Sequence, residues 1–411
     1  MTRGLFLKFG PGVIFAANAV GVSHLVQSTR AGAGYGLSLL LLIFLITALK
    51  YPLFRFASTY SAVSGKTLLD AYRKDGHFAV FILILSVVID MFIATAAVSL
   101  VTAGIVKNVF GIDVSTLLVI TVLILGAFFL LAAFGYSFFE KLVICMVILF
   151  TLMSIAASGM AVPTAIREST NIMPDLNWSP AFIVFLIAMA GWMPTPPSAS
   201  FFLSAWSAKR RQKLKDQLTL KMILFDFNFG YALTLIIAFA FVLLGAVLLY
   251  LNNINAETDS AVSFAAILMS LFSESYGSWA IPIVGGAAIV VMFSTMLTLF
   301  DGAPRVMRQL FGFSETNKKA FLGFLILQAI GVISIVYFFG SSFSTFINFA
   351  TSTAFATAPF IAIYNYRAIM NDDIPDEAKP RPYLRIWNFI SAGVLFVIGI
   401  YYFLNLFGVN G

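Results

Sequence analysis

Two hydrophobic stretches of this chain are interrupted in their middles, and they fall at matching places in its two halves. The first runs from about Phe9 to Thr29 and is broken at Asn18-Ala19-Val20-Gly21-Val22-Ser23-His24. The second runs from about Pro180 to Trp206 and is broken at Gly191-Trp192-Met193-Pro194-Thr195-Pro196-Pro197. Inside a bilayer, unwound backbone survives only where protein or a water-filled cavity satisfies its freed N–H and C=O groups. Paired interruptions, one per half, mark the substrate site of secondary transporters built from inverted repeats. The pattern therefore predicts a membrane carrier of a small solute.

Composition agrees with that reading. The chain is 60% hydrophobic and 10% charged, where soluble domains carry roughly 25% charged residues. Segments of about 20 apolar residues can be drawn at 10–29, 36–56, 78–103, 116–136, 140–162, 180–206, 222–251, 279–300, 320–339, 343–366 and 386–408. This predicts an all-α integral membrane protein with eleven transmembrane helices, a five-plus-five inverted repeat with broken helices one and six. A single domain, 1–411, is expected, with repeats at 1–162 and 180–370 and an extra helix at 386–408. Five is odd, so the second repeat enters from the opposite side.

Basic residues set the orientation. With the N-terminus in the cytoplasm, 22 of the 25 Lys and Arg residues lie on the cytoplasmic side, from Arg3 and Lys8 through Lys50, Arg55 and Lys209–Lys215 to Arg385. Only Arg30, Lys107 and Arg167 fall outside. A bacterial inner, or plasma, membrane is the expected location. The +7 net charge needs no nucleic acid, because Lys209–Lys215 sits between spans where anionic lipid attracts it. Cys145 is the single cysteine, which excludes an intrachain disulfide and a cysteine metal cluster. No cofactor is implied, and no nucleophile–base constellation suggests an enzyme. The expected partners are the lipid bilayer and a transported ion or solute. The sequence does not fix an oligomeric state.

Candidate site residues follow from the breaks. Gly21 is expected to let the backbone leave the helix, freeing carbonyls from Asn18 to Val20. Ser23 and His24 then open the second half-helix, where the dipole favours negative charge. Pro194, Pro196 and Pro197 lack the N–H that a continuous helix needs. Met193 offers a thioether suited to softer metals, or simply packs. His24 can bind a cation, relay protons or only hydrogen-bond unwound backbone. Asp90 is the most isolated intramembrane carboxylate and the candidate proton-coupling residue, with a structural acid as the alternative. Asp226 is expected near the interface, and Asp301 with Arg305 as a helical ion pair. The hydroxyls from Ser341 to Thr357, with Asn348, line a polar pathway or serve as helix–helix contacts.

Gly10-Pro11-Gly12 followed by Ala31-Gly32-Ala33-Gly34-Tyr35-Gly36 resembles the first helix of the NRAMP divalent-metal transporters. Met193-Pro194 resembles that family's broken sixth helix, and Tyr136 through Glu140-Lys141-Leu142-Val143 its fourth-to-fifth helix turn. The resemblance implies proton-coupled import of manganese or iron(II), with a site shared by helices one and six. It implies Val20, Gly21, Ser23, His24, Met193 and Thr195 as substrate-binding positions, His24 and Met193 as metal ligands, and Asp90 as the retained third-helix acid. The family's Asp-Pro-Gly-Asn is replaced by Gly21-Val22-Ser23-His24, and its Met-Pro-His by Met193-Pro194-Thr195. No carboxylate remains at the first break. A second similarity, Asn18-Ala19-Val20-Gly21-Val22, is to the Asn-Ala-Val-Gly-Leu stretch of sodium-coupled amino-acid symporters. A cation-coupled symporter of a small organic solute is therefore the alternative, and a non-transporting sensor or scaffold the third reading.

Overall fold

A computed structural model describes residues 9–406, apart from 134, 135, 169, 170, 255, 257, 259, 278, 280 and 340–342. Arg3, Lys8, Ser341, Ser342 and the side chains of Tyr136 and Glu140 lie outside the described residues. Every regular element described is helical. Eight helices are long and apolar enough to cross a membrane, or nine if one bent pair counts as a span. The protein is thus an all-helical, multi-pass membrane protein.

The first interrupted stretch forms α1, Pro11–Ala19, and α2, a π-helical turn Ser23–Ser28 that continues as an α-helix over Thr29–Tyr35. Then come α3 (Leu40–Ser64) and the short α4 (Leu68–Asp75), followed by α5 (His77–Phe110), α6 (Thr116–Ala133) and α7 (Tyr136–Arg167). The second interrupted stretch forms α8, Pro180–Trp192, and α9, Ala199–Leu214. After it run α10 (Leu220–Tyr250), α11 (Ala261–Tyr276), α12 (Ile281–Leu310) and α13 (Lys318–Phe339). Last are α14 (Phe343–Ser352), α15 (Ala358–Ile369) and α16 (Pro382–Leu406).

Three features depart from the sequence expectation. Helix α3 runs eight residues past the expected end, through Pro52 to a left-handed Gly65 cap. Neighbouring helices allow a membrane helix to tolerate an internal proline. Lys50 and Arg55 therefore lie in the middle of α3 rather than near its end. Helix α7 continues to Arg167, so the connection expected at 163–179 starts later. Helices α4 and α11 were not expected. The first begins at Thr67 with a reciprocal Thr67–Asp70 capping box.

Both halves of the first broken helix cross α10 through glycines. A Cβ on Gly12 would run into the Asp226 backbone, and one on Gly230 into the Gly12 carbonyl. Further along, a Cβ on Gly32 would meet the Val242 carbonyl, and one on Gly245 the Thr29 carbonyl at 2.5 Å. Small residues at such crossings let backbones approach closely. Asp226, expected near the interface, has a structural task. Its carboxylate is buried and accepts from Gly10 N at 2.8 Å and Gly12 N at 2.9 Å. These are orphan donors at the start of α1. Asp301 and Arg305 do form the expected ion pair, at 2.5 Å, with Trp206 Nε1 also donating to Asp301 at 3.1 Å.

Candidate functional site

The two breaks meet. Ser23 Oγ lies 3.2 Å from the Pro194 carbonyl, and Asn18 Nδ2 donates to Thr195 Oγ1 at 3.5 Å. Asn18, Ser23, His24, Met193 and Thr195 are all buried. The first break is short, spanning Val20 and Gly21 between α1 and α2, and the second spans Met193 to Ser198.

Freed carbonyls at the first break do not face open space. Thr295 Oγ1, on α12, lies 2.8 Å from the Ala17 carbonyl and 2.9 Å from the Val20 carbonyl. One turn on, Thr298 Oγ1 donates to Asn18 Oδ1 at 3.1 Å. Gly21 is not in the left-handed region, in contrast to six other glycines. Its backbone therefore needs no glycine for conformation. It needs one for room, because a Cβ there would sit 2.8 Å from Thr295 Cγ2.

His24 begins α2 inside the π-helical turn, a local widening often found at functional positions. Its Nε2 lies 2.9 Å from the Thr234 carbonyl on α10, and its Nδ1 lies 2.8 Å from both the Ala19 carbonyl and Ser23 Oγ. Ser23 Oγ also lies 2.7 Å from the Ala19 carbonyl, so the Ser23 hydroxyl and Nδ1 share the available protons around that carbonyl, and the His24 tautomer decides which of them donates. The ring nitrogens are thus engaged by protein in this conformation. Met193 packs in an apolar cluster with Ala31, Phe185, Met189, Ala238 and Val242. Among the described residues, no three His, Cys, Asp or Glu side chains gather as a metal site.

Asp90 heads a second π-helical turn, Asp90–Ala94, within α5. It is buried, its Oδ2 has no hydrogen-bond partner, and Ser198 of the second break lies beside its carboxyl. That contact joins the isolated acid to the site. The hydroxyls of α14 and the turn after it mostly bond back to their own chain: Thr351 to the Ile347 carbonyl and Thr353 to that of Ala350. Two side chains reach elsewhere: Ser344 Oγ donates to the Thr258 carbonyl at 2.5 Å, and Asn348 accepts from Arg30 Nη1 at 3.0 Å. Arg30 also stacks over Phe185 and lines a cavity of about 620 Å³ with Tyr35, Val184 and Asn348.

Sequence reasoning missed Lys50. Its side chain is 1% exposed, and its Nζ donates to the carbonyls of Ala190 at 2.6 Å, Gly191 at 2.8 Å and Thr195 at 3.4 Å. The available signal was the lack of a helix stop between Pro52 and Gly65, which leaves Lys50 mid-helix. Thr295 and Ser198 were missed because nothing in their local sequence marks them.

Residues 12–405 match the family described as natural resistance-associated macrophage protein-like, Nramp. The chain belongs to the Nramp family. An uncharacterized protein of Pasteurella multocida is 30% identical over 382 residues, which cover 90% of this chain and 86% of that protein. The divalent metal cation transporter MntH of Levilactobacillus brevis is 21% identical, covering 100% and 90%. A mutant manganese transporter of Eremococcus coleocola shares the fold, with a TM-score of 0.75 at 16% identity, covering 100% of this chain and 89% of that one.

Proposed function

We propose that this Nramp-family protein is a secondary transporter that moves a metal cation by alternating access. The observation that carries the reading is the meeting of two broken helices, through Ser23–Pro194 and Asn18–Thr195, in a chain of this family. Counting both interrupted stretches as spans raises nine to eleven. Residues 1–162 and 180–370 are then inverted repeats of a single membrane domain, with the 386–408 helix added. The N-terminus faces the cytoplasm of a bacterial inner membrane.

The site is closed, so a cation enters it by rearrangement. Withdrawal of Thr295 exposes the Val20 carbonyl beside Gly21, and rotation of the π-helical turn brings His24 and Ser23 to the same space. Met193 and Thr195 contribute from the second break. A donor set without carboxylate favours manganese, iron(II) or cadmium over magnesium. Asp90, joined to the second break through Ser198, is the proton-coupling residue.

Proteoliposomes holding the purified protein test this through uptake of manganese and cadmium, each measured against magnesium. His24→Ala and Met193→Ala should each lower uptake, and non-additively if they serve one ion. Orientation is tested with Cys145→Ser as background. An impermeant thiol reagent on intact cells should label Arg167→Cys and spare Lys213→Cys, and the reverse would overturn the topology.

A second reading has its own observation. Two basic side chains, Arg30 and Lys50, are buried along this path, which suits a solute bearing a carboxylate better than a dication. Uptake of a small amino acid without uptake of any metal would establish it in place of the first.

A further inference from the structure

We propose that the second break is a cation site whose permanent occupant is the Lys50 ammonium, a tethered ion supplied by the fold itself. The inference is independent of which solute is carried. Helix α8 stops at Trp192, leaving its last carbonyls without intrahelical donors. Those ends carry the negative pole of the half-helix. Lys50 reaches across from α3 and places Nζ among the carbonyls of Ala190, Gly191 and Thr195.

All three neighbours are acceptors that have no proton to give. A neutral amine has two N–H groups and would aim its lone pair at one of these oxygens. An ammonium has three donors and no lone pair, which matches the site. A buried charge is costly unless its hydrogen bonds are met, and here the backbone meets them. The arrangement is what a monovalent cation among carbonyls would require, with the ion covalently attached. Lys50 is a positioning residue: it holds the break in shape, and the closed state needs no co-transported ion at this position.

Removing the side chain should therefore create a vacancy selective for small cations with N–H groups. In detergent, Lys50→Ala should melt about 5 °C lower than the native protein, because buried carbonyls lose their donors. Millimolar methylammonium should restore part of that loss. Tetramethylammonium, which has no N–H, should not, and neither salt should shift the native protein. Lys50→Met keeps the apolar stem and should fall as far as Lys50→Ala without rescue, since its side chain fills the space. Stability of Lys50→Met equal to the native protein, or equal response of Lys50→Ala to both salts, overturns the proposal. Should neither variant fold, the native protein supplies the test through lysine ¹⁵N spectra. A slowly exchanging buried Nζ must appear as a proton-coupled quartet, the signature of three attached protons, and a triplet refutes the ammonium.

Discussion

The first break sets a position without a side chain directly against a threonine, and this gives a quantitative test. A Cβ added at Gly21 would lie 2.8 Å from Thr295 Cγ2 and 3.1 Å from its Oγ1. Apolar carbons prefer about 3.5–4.0 Å, so the overlap is roughly 0.7 Å. Overpacking of that kind costs about 1–3 kcal/mol. Thr295→Ser deletes the offending methyl but keeps the hydroxyl for the Ala17 and Val20 carbonyls, at a cost of about 1 kcal/mol. Combined with Gly21→Ala, it should relieve the clash. The double variant should be more stable than the sum of the singles by about 1–2 kcal/mol. Equilibrium unfolding in mixed micelles, followed by tryptophan fluorescence, measures the cycle. Additivity within about 0.5 kcal/mol would mean Thr295 does not occupy the space Gly21 leaves. The same geometry governs Gly21→Asp, which puts a carboxylate at the family's position. Alone it has no room, whereas with Thr295→Ser it should tighten manganese binding in calorimetry, since an anion beside a dication contributes several kcal/mol even in a screened site.

Three further outcomes follow from single contacts. Gly12→Ala should be poorly folded, because its Cβ would strike the Asp226 backbone at the α1–α10 crossing; size-exclusion profiles and melting curves would show it, and a native-like melt would contradict the close approach. Asp90→Asn should keep the fold yet flatten the pH profile of uptake, and an unchanged profile would make Asp90 a purely structural acid. Asp373, held down to about 2 by hydrogen bonds from Lys74 and Lys66, contributes stability that is present above its ordinary value of 3.8 and lost as pH falls toward 2. All three side chains are solvent-exposed, so Asp373→Asn should leave neutral-pH melting unchanged at high salt.

Much of the architecture was legible because hydropathy and proline are local signals. The second break is written in Pro194, Pro196 and Pro197, and the helical ion pair in the spacing of Asp301 and Arg305. The first break was located correctly, but its cause was misread. Gly21 looked like a conformational glycine, and its constraint comes from Thr295, 274 positions away in the chain. Lys50 escapes notice for a related reason: a lysine beside a proline near the end of an apolar run reads as a cytoplasmic-side topology signal. Only the carbonyls of Ala190, Gly191 and Thr195, 140 to 145 residues distant, make it an interior residue. Partners that far apart leave no periodic trace.

The two breaks are satisfied from different sides, and this bears on how the site opens. Lys50 lies on α3, which packs against α9, α10, α15 and α16, so the donor to the second break is anchored to the half-helix that follows it. Thr295 lies on α12, whose main partners include α5, α7, α13 and α1. Separating α1 from α12 takes the shared Thr295 hydroxyl away from the Ala17 and Val20 carbonyls, while the Lys50 contacts can persist. A buried carbonyl left without a donor costs about 1–3 kcal/mol, so the parted state is favoured only when something replaces the Thr295 hydroxyl. A transported cation is such a replacement. The second break already holds a positive charge and gains nothing from another. On this reasoning the mobile ion belongs at Val20 and Gly21, and its binding energy is what stabilises the separation of α1 from α12.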